Sequence, residues 1–434
     1  MSEKVKVKGK HKKRFLKFLC IFLCVIILYV AVTTLITVIG LKANRNKIKT
    51  ISKVAYENQL VPENYDNGCW NIKTDRDIKV VQLTDVHLGG GYLSINKDSK
   101  AINAVAAMLT AEKPDLVIVT GDISYPVPFQ AGTSNNKSGA TLFAELMESL
   151  GIYWTACYGN HDTESYSYYS REQLTEIYSS GDFPHCLLQA GPEDVDGCGN
   201  QVINIVNSDN VIARSLILFD SHSYIDGDVF GIAWKYDNIH DNQIEWYKNT
   251  VKALTEQNAQ TVSKLSADRA ALYNSSSPVK TSAFMHIPLN EYKTAWNEYV
   301  DNGYKDDENI TYNYGTAGES GKVIFCGVHD DMLFETMLEL GSTDSIFCGH
   351  DHLNNFSINY KSINLNYGMS IDYLAYSGIS RIGSQRGCSI LSIDTEGNLT
   401  SKNENYYQDK FKYAVRSILC VLPILSEKSV TVLL

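Results

Sequence analysis

Ten cysteines are spread through this chain without a single Cys-x-x-Cys pair, so neither a zinc ribbon nor a dithiol redox motif is available. There is no Gly-x-x-x-x-Gly-Lys-Ser/Thr loop to cradle nucleotide phosphates, and no Gly-x-Ser-x-Gly elbow to present a serine nucleophile. Acidic residues are almost missing from the first 53 positions, which hold 13 Lys/Arg and Glu3 alone. By difference, residues 54–434 carry 26 basic and 48 acidic side chains, a net charge of −22 against −10 for the whole chain. A body of that sign repels polyanions, so no nucleic acid binding is expected. Cys157, Cys326 and Cys348 lie in apolar runs and read as buried thiols, whereas Cys186 and Cys198 flank a Gly/Pro/Asp loop where a bridge is left open.

Charge is also missing between Phe18 and Leu41, 24 residues rich in Leu, Ile, Val and Phe. Roughly 20 apolar residues cross a bilayer, whereas the apolar core of a cleaved signal peptide runs only about 7–15. The run therefore reads as an uncleaved signal-anchor in a lipid bilayer. Eight Lys/Arg precede it and five follow, which keeps the N-terminus cytoplasmic and sends the body outward from the cell membrane. The expected organisation is a basic cytoplasmic segment (1–17), a single transmembrane helix (18–41), a linker (42–73) with one patch, Cys69-Trp70, that folds onto the body, one domain (74–400) and a tail (401–434) whose apolar stretch is too short to span.

From Ile78 strand-like and helix-like patterns alternate. Strands are expected at 78–83, 115–120, 152–157, 202–205, 215–219, 282–285 and 345–348. Helices are expected at 102–110, 142–150, 241–256 and 332–340, and strand-like pieces after Asn354. Residues 301–322, rich in Asp, Gly, Tyr and Asn, read as an insertion loop. Alternation of this kind implies a mainly parallel sheet covered by helices, an α/β fold.

Possible metal donors stand at the ends of these strands. The series is Asp85-x-His87, Gly121-Asp122, Gly159-Asn160-His161-Asp162, His286 and Gly349-His350-x-His352. Each piece alone reads equally as a cap, turn or core histidine, but five of the ten histidines fall in these places. Carboxylate, amide and imidazole together suit iron, zinc or manganese, and strand ends are where open α/β sheets bind ligands.

In residues and order the series resembles the calcineurin-like metallophosphoesterase superfamily, with closest likeness to the plant purple-acid-phosphatase-like subgroup and related fungal phosphatases. The stretches Ala111–Asp122, Met285–Tyr292 and Gly349–Asn355 carry it, and it covers roughly Ile78 to Asp394. The resemblance implies a four-layer α/β/β/α sandwich with two metal ions of iron, zinc or manganese type. One would be held by Asp85, His87, Asp122 and His352, the other by Asp122, Asn160, His286 and His350. It implies a phosphoesterase, first a phosphomonoesterase, in which a metal-bridging hydroxide attacks phosphorus in line. His161 would stabilise phosphate or protonate the leaving alkoxide, with Asp162 orienting its ring. A phosphodiesterase or nucleotidase on the same core is the alternative, and an inactive surface binding module the remaining one.

The chain departs from purple acid phosphatases proper, in which a tyrosine ligates ferric iron and the first motif lacks histidine. It has both His87 and Gly121-Asp122-Ile123-Ser124-Tyr125. His87 is expected as the ligand and Tyr125 as a wall of the substrate cleft, so no purple charge-transfer band is predicted. His222 and Asn354 are further candidates for that wall, as are Tyr292 and Tyr304. His329-Asp330-Asp331 reads as a helix N-cap cluster.

Overall fold

The computed structural model describes residues 2–406, apart from 65–67, 229, 275–276, 377–378 and 380–385. The chain begins with one long helix, α1 (Ser2–Ile48), then β1 (Glu63–Asn64), β2 (Trp70–Lys73), β3 (Ile78–Leu83), α2 (Ile95–Glu112) and β4 (Leu116–Thr120). It continues through α3 (Pro128–Ala131), α4 (Asn136–Leu150), β5 (Trp154–Cys157), α5 (Arg171–Tyr178), β6 (Gln201–Val206) and β7 (Ile212–Leu218). Then come α6 (Asp241–Val262), α7 (Ala267–Ala270), β8 (Thr281–Phe284), α8 (Asn290–Asp301), β9 (Ile310–Tyr314), α9 (Leu333–Leu340) and β10 (Thr343–Cys348). β11 (Ser357–Tyr360), β12 (Ile363–Tyr367), β13 (Gly387–Ile393) and β14 (Leu399–Asn405) complete the described elements.

The strands form a five-stranded sheet, β14-β13-β3-β4-β5, and a nine-stranded sheet, β1-β2-β6-β7-β8-β10-β12-β11-β9. β3, β4 and β5 are parallel, as are β7, β8, β10 and β12. Their cores are apolar on both faces because each sheet is covered twice. Val80, Leu116 and Ile118 meet Ile203, Leu216, Phe284 and Phe347 between the sheets. Ile102, Val105, Leu109, Leu142 and Leu146 pack on the outer face of the smaller sheet. Ile244, Tyr247, Val251, Tyr292 and Trp296 cover the outer face of the larger one. The layers are thus helices, sheet, sheet, helices.

Three expectations change. Residues 42–73 are a linker only in part: α1 continues to Ile48 against α2 and α4, while β2, beginning at Trp70 of the expected patch, pairs in parallel with β6. Residues 301–322 contain β9, an edge strand paired with β11. The domain runs past residue 400, because β14 pairs with β13 up to Asn405; residues 407–434, including the apolar tail, lie outside the described residues. Cys186 and Cys198 are separate thiols, and Cys198 Sγ lies 3.2 Å from the Thr175 hydroxyl.

From Lys12 to Ile48, α1 is long and apolar enough to cross a membrane, a property shared by anchors and signal sequences. Its last turns, from Gly40 onward, are docked on the body. Arg45 Nε donates to Glu145 at 2.9 Å, Asn44 Nδ2 to the Ile95 carbonyl at 3.2 Å and Lys47 Nζ to the Ser99 carbonyl at 2.9 Å.

Candidate metal centre

The parallel strands β3, β4, β5, β8 and β10 deliver their following residues to one edge, and tight backbone hooks hold these loops together. The Asp85 and His87 amides donate to the Gly121 and Asp122 carbonyls at 3.2 and 3.0 Å. Asp85, His87, Asp122 and His350 all adopt positive φ, at 50, 52, 57 and 77°. Such backbone strain costs about 1–3 kcal/mol per residue and persists where the surroundings over-determine it. Gly159 is required by close approach, since a Cβ there would run into the Asp122 carboxylate.

The side chains converge on Asp122 Oδ2. His87 Nε2 lies 3.1 Å from it and His286 Nε2 3.3 Å. On one side His352 Nε2 approaches Asp85 Oδ1 at 3.5 Å, and the donor atoms of Asp85, His87, Asp122 and His352 lie within 4.8 Å of one another. On the other side Asn160 Oδ1 is 3.1 Å and His350 Nδ1 3.3 Å from His286 Nε2.

These contacts test whether cations fit. Asp85 Oδ1 is buried and accepts no hydrogen bond. His286 Nδ1 donates to the Thr120 carbonyl at 2.8 Å, so in the neutral ring Nε2 is a bare lone pair. That lone pair faces a carboxylate oxygen, an amide oxygen and a second imidazole nitrogen. Converging lone pairs in a buried site are unfavourable unless a cation sits among them. Electrostatics point the same way. Burial opposes charge on His286, yet Asp122 carries its pKa up to about 9. Burial likewise opposes charge on Asp122, but His286 and His161 hold it well below the usual carboxylate range. The donor set fits two metal ions sharing Asp122.

A sequence profile described as calcineurin-like phosphoesterase matches residues 78–354. This chain belongs to that family. It is 27% identical over 330 residues to "Probable inactive purple acid phosphatase 14" of Arabidopsis thaliana, covering 70% of this chain and 73% of that one. It is 28% identical over 298 residues to "Phosphatase DCR2" of Saccharomyces cerevisiae, covering 64% of this chain and 45% of that one. Among solved structures, a dimetal phosphatase from Danio rerio covers 76% of this chain and 100% of its own at a TM-score of 0.44 and 11% identity, a likeness too slight to bear on activity. The seven metal-donor residues read from the sequence are brought together in this calcineurin-like chain.

The residues around them are arranged differently from expectation. Asp162 does not orient His161. Its carboxylate accepts the amides of Asp122 and Gly159 at 2.9 Å and of Ser124 at 2.8 Å, clamping two ligand loops together. The partner of His161 is Glu164, whose Oε1 lies 2.6 Å from Nδ1. A His-x-x-Glu spacing across a turn was the available signal. The Tyr125 ring lies 4.7 Å from the rings of both His87 and His161, while its hydroxyl donates to Gln130 Oε1 at 2.5 Å. That hydroxyl is thereby engaged away from the ligand atoms, and the ring forms a wall.

Asn354 is not part of a wall. It is buried, and its Oδ1 accepts the Gly318 and Glu319 amides, tethering the loop after β9. His222 turns its Nε2 to Gln243 Oε1 at 2.9 Å and stacks on His240 at 4.0 Å. Tyr292 is fully buried with its hydroxyl on the Ile346 carbonyl, and Tyr304 follows α8 at the opposite edge. Asp331 accepts the Leu333 amide at 3.0 Å just ahead of α9, but the N-cap of that helix is Met332 and carries no side-chain cap bond, so the expected N-cap role does not appear.

Asp372 carried no motif in the sequence. Fully buried, it places Oδ1 3.2 Å from His87 Nδ1 and Oδ2 3.5 Å from His352 Nδ1. The Leu374, Ala375 and Tyr376 amides fix the same carboxylate. Burial opposes its charge, but His87 and His352 hold its pKa well below the usual range. A carboxylate behind a ligating imidazole sets the tautomer and ring orientation. Asp372→Asn is expected to weaken binding of one of two metals by about 10–100-fold, read by metal titration. Unchanged affinity would leave Asp372 with the loop alone.

Proposed function

We propose that this chain is a membrane-anchored, dinuclear metal-dependent phosphomonoesterase whose body lies outside the cytoplasm. The meeting of His87 and His286 at Asp122 Oδ2, with Asp85 and His352 gathered on one side and Asn160 and His350 on the other, carries the dinuclear reading. Asp85, His87, Asp122 and His352 would hold one iron, zinc or manganese ion, and Asp122, Asn160, His286 and His350 the other. Bound there, the cations would lower the pKa of water and neutralise phosphate charge as it builds in the transition state. The chain's own residues do the rest. Asp122 fixes the spacing of the two positions. His161, its Nδ1 held by Glu164, is left with Nε2 to contact phosphate or to pass a proton to the leaving oxygen. Tyr125 covers the histidines and limits water beside them.

The anchor reading rests on the uncharged stretch of α1, and the outward orientation on the basic residues before it. The experiment compares p-nitrophenyl phosphate with bis-p-nitrophenyl phosphate after metal loading. Faster monoester hydrolysis is expected; a diester preference would replace this reading by a phosphodiesterase. The name of one relative, "Probable inactive purple acid phosphatase 14", keeps a metal-binding but inactive surface module as the second reading. Two bound metals with no hydrolysis of either ester would favour it.

A further inference from the structure

Outside α1, the described residues expose twelve large apolar side chains, and nine of them stand at the edge that holds the candidate metal donors, on loops or on the short α3. They include Leu93, Phe129, Ile232, Trp234 and Met332; Phe129 is 93% exposed and Ile232 79%. Apolar surface gathered on one face of a protein marks an interface.

The direction of α1 says which interface. Asn44 bonds the Ile95 carbonyl and Lys47 the Ser99 carbonyl, while Arg45 meets Glu145 and the Ile48 carbonyl accepts from Ser149. Residue numbers rise together, so α1 runs parallel to α2 and α4. Both of those helices start at the metal edge and run away from it. The part of α1 before Gly40, with its uncharged residues, therefore projects beyond the metal edge. Tyr29 within it bonds Tyr92 at 2.6 Å, and Tyr92 follows His87 by five positions.

We propose that the catalytic face lies against the bilayer that α1 enters, and that the substrate is a lipid phosphate monoester presented from that bilayer. This rests on the phosphoesterase reading above. The apolar rim residues insert into the interface, and the metal edge between them meets headgroup phosphates. The body beyond residue 53 is strongly acidic, so the attachment is apolar and is not driven by anionic lipid. With phosphatidic acid, water adds across the ester P–O bond. Its oxygen goes to phosphorus and a proton to the departing glycerol oxygen, giving diacylglycerol and inorganic phosphate.

The test uses the full metal-loaded chain in phosphatidylcholine vesicles containing phosphatidic acid, with p-nitrophenyl phosphate as a water-soluble substrate in the same vesicles. Phe129→Ser combined with Ile232→Ser alters two exposed side chains, so the fold is retained, as unchanged metal content will show. Phosphate release from phosphatidic acid is expected to fall by about tenfold or more, because two apolar side chains leave the interface. Turnover of p-nitrophenyl phosphate is expected to stay the same. Wild-type protein that hydrolyses p-nitrophenyl phosphate but not phosphatidic acid overturns the proposal, as does an unchanged lipid rate in the double variant. Wild-type protein inactive on both overturns the phosphoesterase reading itself.

Discussion

Asp122→Asn is expected to lower phosphomonoester turnover by at least about 10³-fold, some 4 kcal/mol of transition-state stabilisation. Asp122 Oδ2 lies 3.1 Å from His87 Nε2 and 3.3 Å from His286 Nε2. An amide removes the negative charge between the two cation positions, and its nitrogen cannot take the place of a bridging oxygen. The same charge carries the pKa of His286 upward, so the variant weakens the site's preference for cations as well. Oδ1 also accepts the His161 amide at 2.9 Å, a bond that an asparagine oxygen can keep. The strands and cores do not depend on the charge. Circular dichroism is therefore expected to match the native protein while metal analysis shows fewer than two ions. Full turnover with two ions retained would remove Asp122 from the centre.

His161→Asn is expected to separate chemistry from metal binding. Its ring lies 5.6 Å from that of His87 and is partly exposed, and it is not one of the seven candidate donors. Both ions should remain. Turnover should fall by about 10²–10⁴-fold, the range for loss of a positioned proton donor, with a smaller change in KM. The loss should shrink for substrates with good leaving groups, because p-nitrophenolate needs little protonation whereas an alkoxide needs it fully. A loss equal for both would give His161 a phosphate-binding role instead. Glu164→Gln should reproduce part of the effect, since it removes the carboxylate 2.6 Å from Nδ1.

The gathering of the candidate donors was legible because each belongs to a short motif at the end of an apolar run, and parallel strands bring such ends to one edge. Their supporting residues were not. Asp372 lies 20 residues after His352 in a loop whose role exists only once β12 and β13 are in place. Asp162 adjoins His161 in sequence, but the turn sends neighbouring side chains in different directions, so adjacency misled. No element was expected at α8, although Tyr292, Ala295, Trp296 and Tyr299 carry a helical apolar spacing and are all buried. For α5 the signal was the Ser170/Gln173 capping box. β9 hid among Asp, Asn and Gly because an edge strand needs one buried face only, and of its residues Ile310 alone is buried. The supposed linker failed for the opposite reason. An apolar run long enough for a bilayer marks where a helix is apolar, not where it ends, and the face carrying Gly40, Asn44 and Ile48 continues onto the body.

The most direct measurement is a titration of metal-free protein with one divalent cation, following bound metal and phosphomonoester hydrolysis together. Activity that stays low through the first equivalent, rises with the second and levels off at two ions per chain is the predicted result. Hydrolysis that persists in the metal-free protein, or saturation at two ions without any hydrolysis, would contradict a two-metal phosphoesterase.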